Sequence, residues 1–202
     1  YHGKGGPLNV TKLRSDNPVQ EMYLQAAREL QWPIRDDFNG PEQEGLGIYQ
    51  VTQKNGERWS AARGYIHPHM DKRANLRVET QAYATRILFE GKRAVGVEYT
   101  KGSETKQIRA RREVIVTSGA FQTPQLLMLS GVGDAAALQK HGIASVHHLP
   151  GVGKNLQDHP DFVFGFTSDA PYFAGLSFGG IARIFKGIAQ FRRERRGPMT
   201  SN

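Results

Sequence analysis

Glu113-Val114-Ile115-Val116-Thr117-Ser118-Gly119-Ala120 is a compact β-branched run that stops at small residues. It reads as a strand buried on both faces. Thr123-Pro124 then opens a helix with Leu126, Leu127, Met128 and Leu129 as its apolar residues, and Gly131-Val132-Gly133 ends it. A strand that gives way to a helix through Ser118-Gly119-Ala120 leaves room for a ligand to approach the backbone. The start of such a helix offers free N–H groups that suit phosphate. The same pattern describes a tight strand-to-helix turn with no ligand, and on spacing alone that plainer reading is preferred.

Working outward, residues 75–116 form the clearest β region. Leu76 to Thr80 alternates, Tyr83 to Phe89 follows, and Gly91-Lys92 turns the chain into Ala94 to Tyr99. A second turn at Lys101-Gly102-Ser103 leads to Thr105 to Ala110, giving a meander of short antiparallel strands. Downstream, Asp134 begins a short helix through Leu138 that closes at His141-Gly142. Leu149 to Gly153 is a loop, and Phe162 to Phe166 is a strand. A helix is expected from Ile181 to Arg193.

Toward the N-terminus, Pro7 to Thr11 alternates and reads as a strand. Asp16-Asn17-Pro18 starts a helix with Pro18 at its first position, and Pro33 closes it. Val19, Met22, Tyr23, Ala26, Ala27 and Leu30 give that helix an apolar face expected to pack on a sheet. Gly45 to Thr52 reads as a strand and Asn55-Gly56 as a hairpin turn. Ser60 caps a short helix through Ile66 that Pro68 stops. Helices and strands mixed in this way place the chain in the α+β or α/β class.

The 202 residues carry enough apolar material (38%) for a core, which excludes disorder as the whole account. No stretch approaches the roughly 18 apolar residues of a membrane span, and the opening Tyr1 to Gly6 has no apolar signal region. The absence of cysteine excludes disulfides, thiolate nucleophiles, iron–sulfur clusters and cysteine zinc sites. The formal charge of +8 suits an anionic cofactor, lipid or nucleic acid, and is also common on ordinary soluble proteins. The 23 glycines exceed the usual share of about 7% and imply tight turns or close backbone approaches.

Gly119-Ala120-Phe121-Gln122-Thr123-Pro124-Gln125-Leu126-Leu127-Met128-Leu129-Ser130-Gly131-Val132-Gly133 matches every fixed position of the second signature of the glucose–methanol–choline (GMC) oxidoreductases, which are flavin-dependent alcohol oxidases and dehydrogenases. Gly5-Gly6-Pro7-Leu8, Asp37-Phe38-Asn39-Gly40, Arg58 to Arg63, Asn75-Leu76, Leu149 to Gly153 and Asn155-Leu156-Gln157-Asp158-His159 agree with the family in order. The resemblance covers nearly the whole chain and is closest to the choline-dehydrogenase-like branch.

The resemblance implies part of an FAD-binding Rossmann-like domain, built of a β-meander plus a buried parallel strand, joined to part of an antiparallel-sheet substrate domain. Residues 1–74 fall mainly in the substrate domain, 75–154 in the FAD-binding domain, and 155–202 in the return to the substrate domain. The backbone at Ala84 is expected to hold the flavin's adenine. Thr117, Ser118 and Gly119 end a strand beside the adenosine half of the cofactor. Asn155, Asp158 and His159 stay open between a purely structural role and support of the site.

Two departures bear on activity. The family's G-x-G-x-x-G fingerprint between strand and helix is absent, and no His follows His159 to serve as the family's catalytic base. The chain is therefore expected to be an internal piece of an alcohol-oxidising flavoenzyme with a small alcohol as substrate. Alone it should be inactive, bind FAD weakly or not at all, and self-associate, and no catalytic residue is assigned within it. The alternative is a self-standing binding module that kept the fold and lost the chemistry.

The pairs His67/His69 and His147/His148 lack the i,i+4 spacing of a helical zinc pair, so no metal is expected. Ser118-Gly119 and Ser130-Gly131 lack the context of a serine nucleophile. The basic cluster Arg192-Arg193-Glu194-Arg195-Arg196 follows Ile181, Ile184, Phe185, Ile188 and Phe191. This reads as a helix with an apolar side facing the core and a charged tail, and attachment to anionic membrane is the less favoured alternative. Aromatics are not interleaved with the charges, so nucleic-acid binding is not expected. A cytoplasmic location follows as an expectation, with peripheral contact at the inner membrane as its variant.

Overall fold

Three short strands with glycine at both turns make the meander that the sequence announces. The computed structural model describes residues 1–15, 17–165 and 178–200. In it, β3 (Tyr83–Glu90), β4 (Arg93–Lys101) and β5 (Glu104–Arg109) pair antiparallel in that order, with Tyr83 opposite Thr100 and Lys101 opposite Glu104. Gly91 and Gly102 take left-handed φ of 58° and 61° at the tips. Two register shifts, at Ala84/Arg86 and Leu88/Phe89, bend β3 against β4. Leu76 to Thr80, expected as a further strand, is coil outside the ladder.

The chain divides into two compact units, 1–77 with 165–202, and 78–164. In the second, α2 (Gly119–Leu129) packs on β3, and Ile87, Leu126, Val132 and Leu138 are its buried apolar residues. α2 begins before the expected Thr123-Pro124. Pro124 lies inside it and removes the N–H that would bond the Ala120 carbonyl. β6 (Val132–Gly133), α3 (Ala135–Lys140) and β7 (His147–His148) form a small parallel crossover.

The run 113–118 is a correction. Among the described residues it has no ladder partner, and Ile115 is 75% exposed. A strand buried on both faces needs neighbours on two edges and layers above and below. The meander ends at β3 and β5, and the run pairs with neither edge among the described residues. Phe162, Val163 and Phe164 are likewise exposed coil rather than a strand, and the last residue of that expectation, Phe166, lies outside the described residues.

Asp134 caps α3 by accepting the Ala137 N–H at 3.0 Å, and this backbone bond holds its carboxyl below the usual carboxylate range. The cap's contribution is therefore present above the unfolded pKa and is lost as pH falls through the lower folded one. Thermal melts of the complete protein should show a small loss of stability on the acid side that Asp134→Asn, which still accepts the bond, flattens. An unchanged acid limb in that variant would contradict the assignment.

In the first unit, α1 (Pro18–Glu29) is capped by the Asn17 side chain, which accepts the Val19 N–H at 3.0 Å; Asp16, also read as part of its start, lies outside the described residues. Leu24 and Ala27 are its buried residues, while Met22, Tyr23 and Leu30 are exposed, so the face expected to pack on a sheet is only partly covered. The hairpin of β1 (Gln53–Lys54) and β2 (Glu57–Arg58) turns through Asn55 and Gly56, with φ of 53° and 71°. Two positive φ values in succession define the turn that favours Asn-Gly. The strands expected at 7–11 and 45–52 reduce to single bridges, Thr11 to Val51 and Ile34 to Leu46. A π-type turn at Ala62–Ile66 continues into a 3₁₀ turn at His67–His69, so Pro68 sits inside helical structure rather than stopping it.

α4 (Phe178–Glu194) is longer than expected, and the apolar side expected to face the core is only partly covered. Its buried residues are Gly180 and Gly187, and it packs on the 3₁₀ turn Pro198–Thr200. Phe178, Ile181, Ile184 and Phe185 are exposed, whereas Ile188 and Phe191 are half-buried. Among the described residues no helix is long and apolar enough to cross a membrane.

Candidate functional site

The local geometry at the start of α2 follows from Ser118 and Gly119. Ser118 holds φ −84° and ψ 7°, not the extended conformation of a capping serine, and its side chain makes no cap bond. Gly119 follows at φ 83°, a left-handed value that glycine adopts without penalty, and a Cβ there would meet nothing within 4 Å. The entry to α2 is thus open main chain.

Ser118 lines a cleft of about 530 Å³, counted with its open mouth. One wall is Ala82 and the start of β3, at Tyr83 and Ala84, and the other is a face of α2, at Gln122, Gln125, Leu126 and Leu129. The spacing 118, 122, 125, 129 is one helical stripe. Of the residues predicted from sequence, the structure brings Ala84 and Ser118 into one cleft. Thr117 and Gly119 adjoin Ser118, are exposed, and do not line it. Gln122 and Gln125 escaped the sequence reading. Their signal was the helical stripe through Ser118, hidden because the helix was expected to begin later.

Ser130 fastens the two walls. Its Oγ accepts the Ile87 N–H at 2.8 Å and donates to the Leu126 carbonyl at 2.6 Å, and the residue is buried. Farther along, the Asp158 carboxylate accepts the His159 N–H at 2.8 Å, and Asn155 takes φ 55°. His148 Nδ1 accepts the Ala135 N–H at 3.0 Å, and His2 pairs with Asp37 at 2.6 Å, so both rings are used locally. Among the described residues no group of three or more acidic or His side chains could hold a metal ion.

The first unit holds a more polar groove. Glu57 accepts from Arg63 at 2.8 Å and from Arg195 at 2.6 Å, and the Arg63 hydrogen bond is the first cause that lowers its pKa. Arg58, Ser60 and His67 line the same groove. With the carboxylate held between two guanidiniums, this reads as an ion-pair network tying α4's end to the β1–β2 hairpin.

The chain belongs to the GMC oxidoreductase family, whose profile matches residues 4–161. It is 47% identical over 204 residues to an alcohol dehydrogenase (acceptor) of Pseudomonas putida, covering all of this chain and 37% of that protein. It is 50% identical over 159 residues to the mitochondrial choline dehydrogenase of Mus musculus, covering 79% of this chain and 26% of that one. Among solved structures, an FAD-dependent oxidoreductase of Chaetomium thermophilum superposes with a TM-score of 0.83 at 26% identity, over 98% of this chain and 35% of that one. The chain therefore spans 26–37% of the length of these curated relatives.

Proposed function

We propose that the chain is the middle portion of an FAD-dependent alcohol dehydrogenase or oxidase of choline-like type. The observation that carries this is the cleft in which the β3 main chain at Ala84 meets the Ser118 face of α2. Its lining fits the adenosine half of the cofactor. Uncharged Ser118, Gln122 and Gln125 offer hydrogen bonds to a neutral heterocycle and its sugar, Leu126 and Leu129 offer apolar contact, and Gly119 adds no side chain to obstruct approach. The four residues assigned to the cofactor are Ala84, Thr117, Ser118 and Gly119. The fit stops there, because no G-x-G-x-x-G loop in the sequence cradles a pyrophosphate.

When bound, FAD supplies the hydride acceptor for a primary alcohol. This chain's own part is to seat the adenosine end. The phosphate-binding loop and the base that removes the hydroxyl proton come from other parts of the parent protein. Residues 75–154 belong to the FAD domain in this reading, with 1–74 and 155–202 in the substrate domain, and the compact unit 78–164 supports that division.

The test is to express the complete natural reading frame and assay a panel of primary alcohols, choline included, with an artificial electron acceptor. Bound flavin and turnover of at least one alcohol are expected. A flavin-free protein that oxidises none of them overturns the proposal.

A further inference from the structure

We infer that Ser130 is a positioning residue for the adenosine cleft, setting the distance between its two walls; the inference rests on the reading of that cleft as the seat of FAD's adenosine half. A serine at a helix end commonly bonds back to the carbonyl four residues earlier, as Ser130 does to Leu126. Here the same oxygen also takes the N–H of Ile87, from the edge of β3 that no strand pairs among the described residues. A single buried hydroxyl thus joins the strand carrying Ala84 to the last turn of the helix carrying Ser118.

The neighbours make the coupling direct. Ile87 follows Ala84 on β3, and Leu126, whose carbonyl Ser130 engages, lines the cleft. A register shift separates the Tyr83–Thr100 and Ala84–Tyr99 pairs from those that begin at Arg86, so the ladder bends between the start of β3 and Ile87. Without the hydroxyl, the Ile87 N–H is buried with no acceptor, and α2 is free to slide along the strand edge. A binding site loses complementarity when its walls move by about half an ångström. Ser130 of the family signature, which looks like part of a mere helix terminator, acts on the cleft through the two walls it joins.

The experiment uses the complete protein, stripped of flavin and titrated with FAD. Ser130→Ala is expected to raise the FAD Kd by about tenfold, the effect of one net hydrogen bond. Leu138→Ala, buried in α3 and away from the cleft, serves as a stability control. It should lower Tm at least as much and leave Kd within about twofold. Gln122→Trp, on the exposed face of α2, narrows the cleft and should also weaken binding.

A Kd unchanged by Ser130→Ala while Gln122→Trp weakens binding overturns the inference alone. A Kd that follows Tm equally in Ser130→Ala and Leu138→Ala also overturns it, since a merely structural role gives that result. A Kd untouched by Gln122→Trp overturns the reading of the cleft itself.

Discussion

Gly131→Ala is expected to lower the melting temperature of the unit 78–164 by about 8–32 °C, a consequence of two independent costs at one position. Gly131 sits at φ 88°, where a side chain is strained by about 1–3 kcal/mol. A Cβ there would also stand 2.5 Å from the Ala144 carbonyl oxygen and 2.9 Å from Cγ2 of Val146. The carbonyl neighbour is backbone, and it cannot withdraw freely. The Gly131 carbonyl accepts from Val146 at 2.8 Å and His147 at 3.1 Å, the bonds that begin the β6–β7 pairing. Relief of the clash therefore costs hydrogen bonds. A combined loss of about 2–4 kcal/mol is near the top of the range for single substitutions, and about 4–8 °C per kcal/mol for a unit of this size gives the expected shift. Gly102→Ala is the internal comparison, since that glycine has φ 61° but nothing within 4 Å of its Cβ. Melts of the complete protein in which both variants fall equally would show that the packing cost is imaginary.

The second large effect concerns the 202 residues on their own. Purified without the rest of the parent, with FAD and an electron acceptor added, they are expected to oxidise no alcohol, choline included. In the proposed reading the cleft seats one end of a dinucleotide, and the 202 residues contain neither a G-x-G-x-x-G loop nor a His after His159. FAD binding weaker than micromolar is expected for the same reason. The isolated chain should also self-associate, because Ile115 is 75% exposed and Phe162, Val163 and Phe164 are exposed as well. A clear oxidation rate, or a monodisperse monomer binding FAD at micromolar concentration or tighter, would refute this account.

Much of the second unit could be read directly from residues. The meander was legible because Gly91 and Gly102 punctuate alternating runs, and α3 because Asp134 precedes a helical run that Gly142 closes. Asn17 and Pro18 marked the start of α1 through cap chemistry that is local to the chain. The failures share a different cause. Val114 to Val116 has the composition of a buried strand, but a strand exists only with a neighbour, and pairing is not written in the run itself. α2 began early because Ser118-Gly119 reads as loop while Pro124 reads as a start, and tertiary packing overrode both. The cleft was half visible: Ala84 and Ser118 came from family resemblance, whereas Gln122 and Gln125 needed the true helix phase. The role of Ser130 was invisible, since a hydroxyl shared between a helix and a strand edge has no sequence pattern.

α4 inverts a familiar expectation about which positions tolerate change. It meets the 3₁₀ turn through glycine, and a Cβ at Gly187 would lie 2.9 Å from Cγ of Pro198, while Phe185 on the other side is 68% exposed. Counting only contacts made within this chain, Gly187 is the constrained position and Phe185 the tolerant one. A substitution table ranked by hydrophobicity would misjudge the segment, scoring Phe185→Ser as the damaging change and Gly187→Ala as silent. Evolutionary rate along α4 should follow distance from the turn, not residue size.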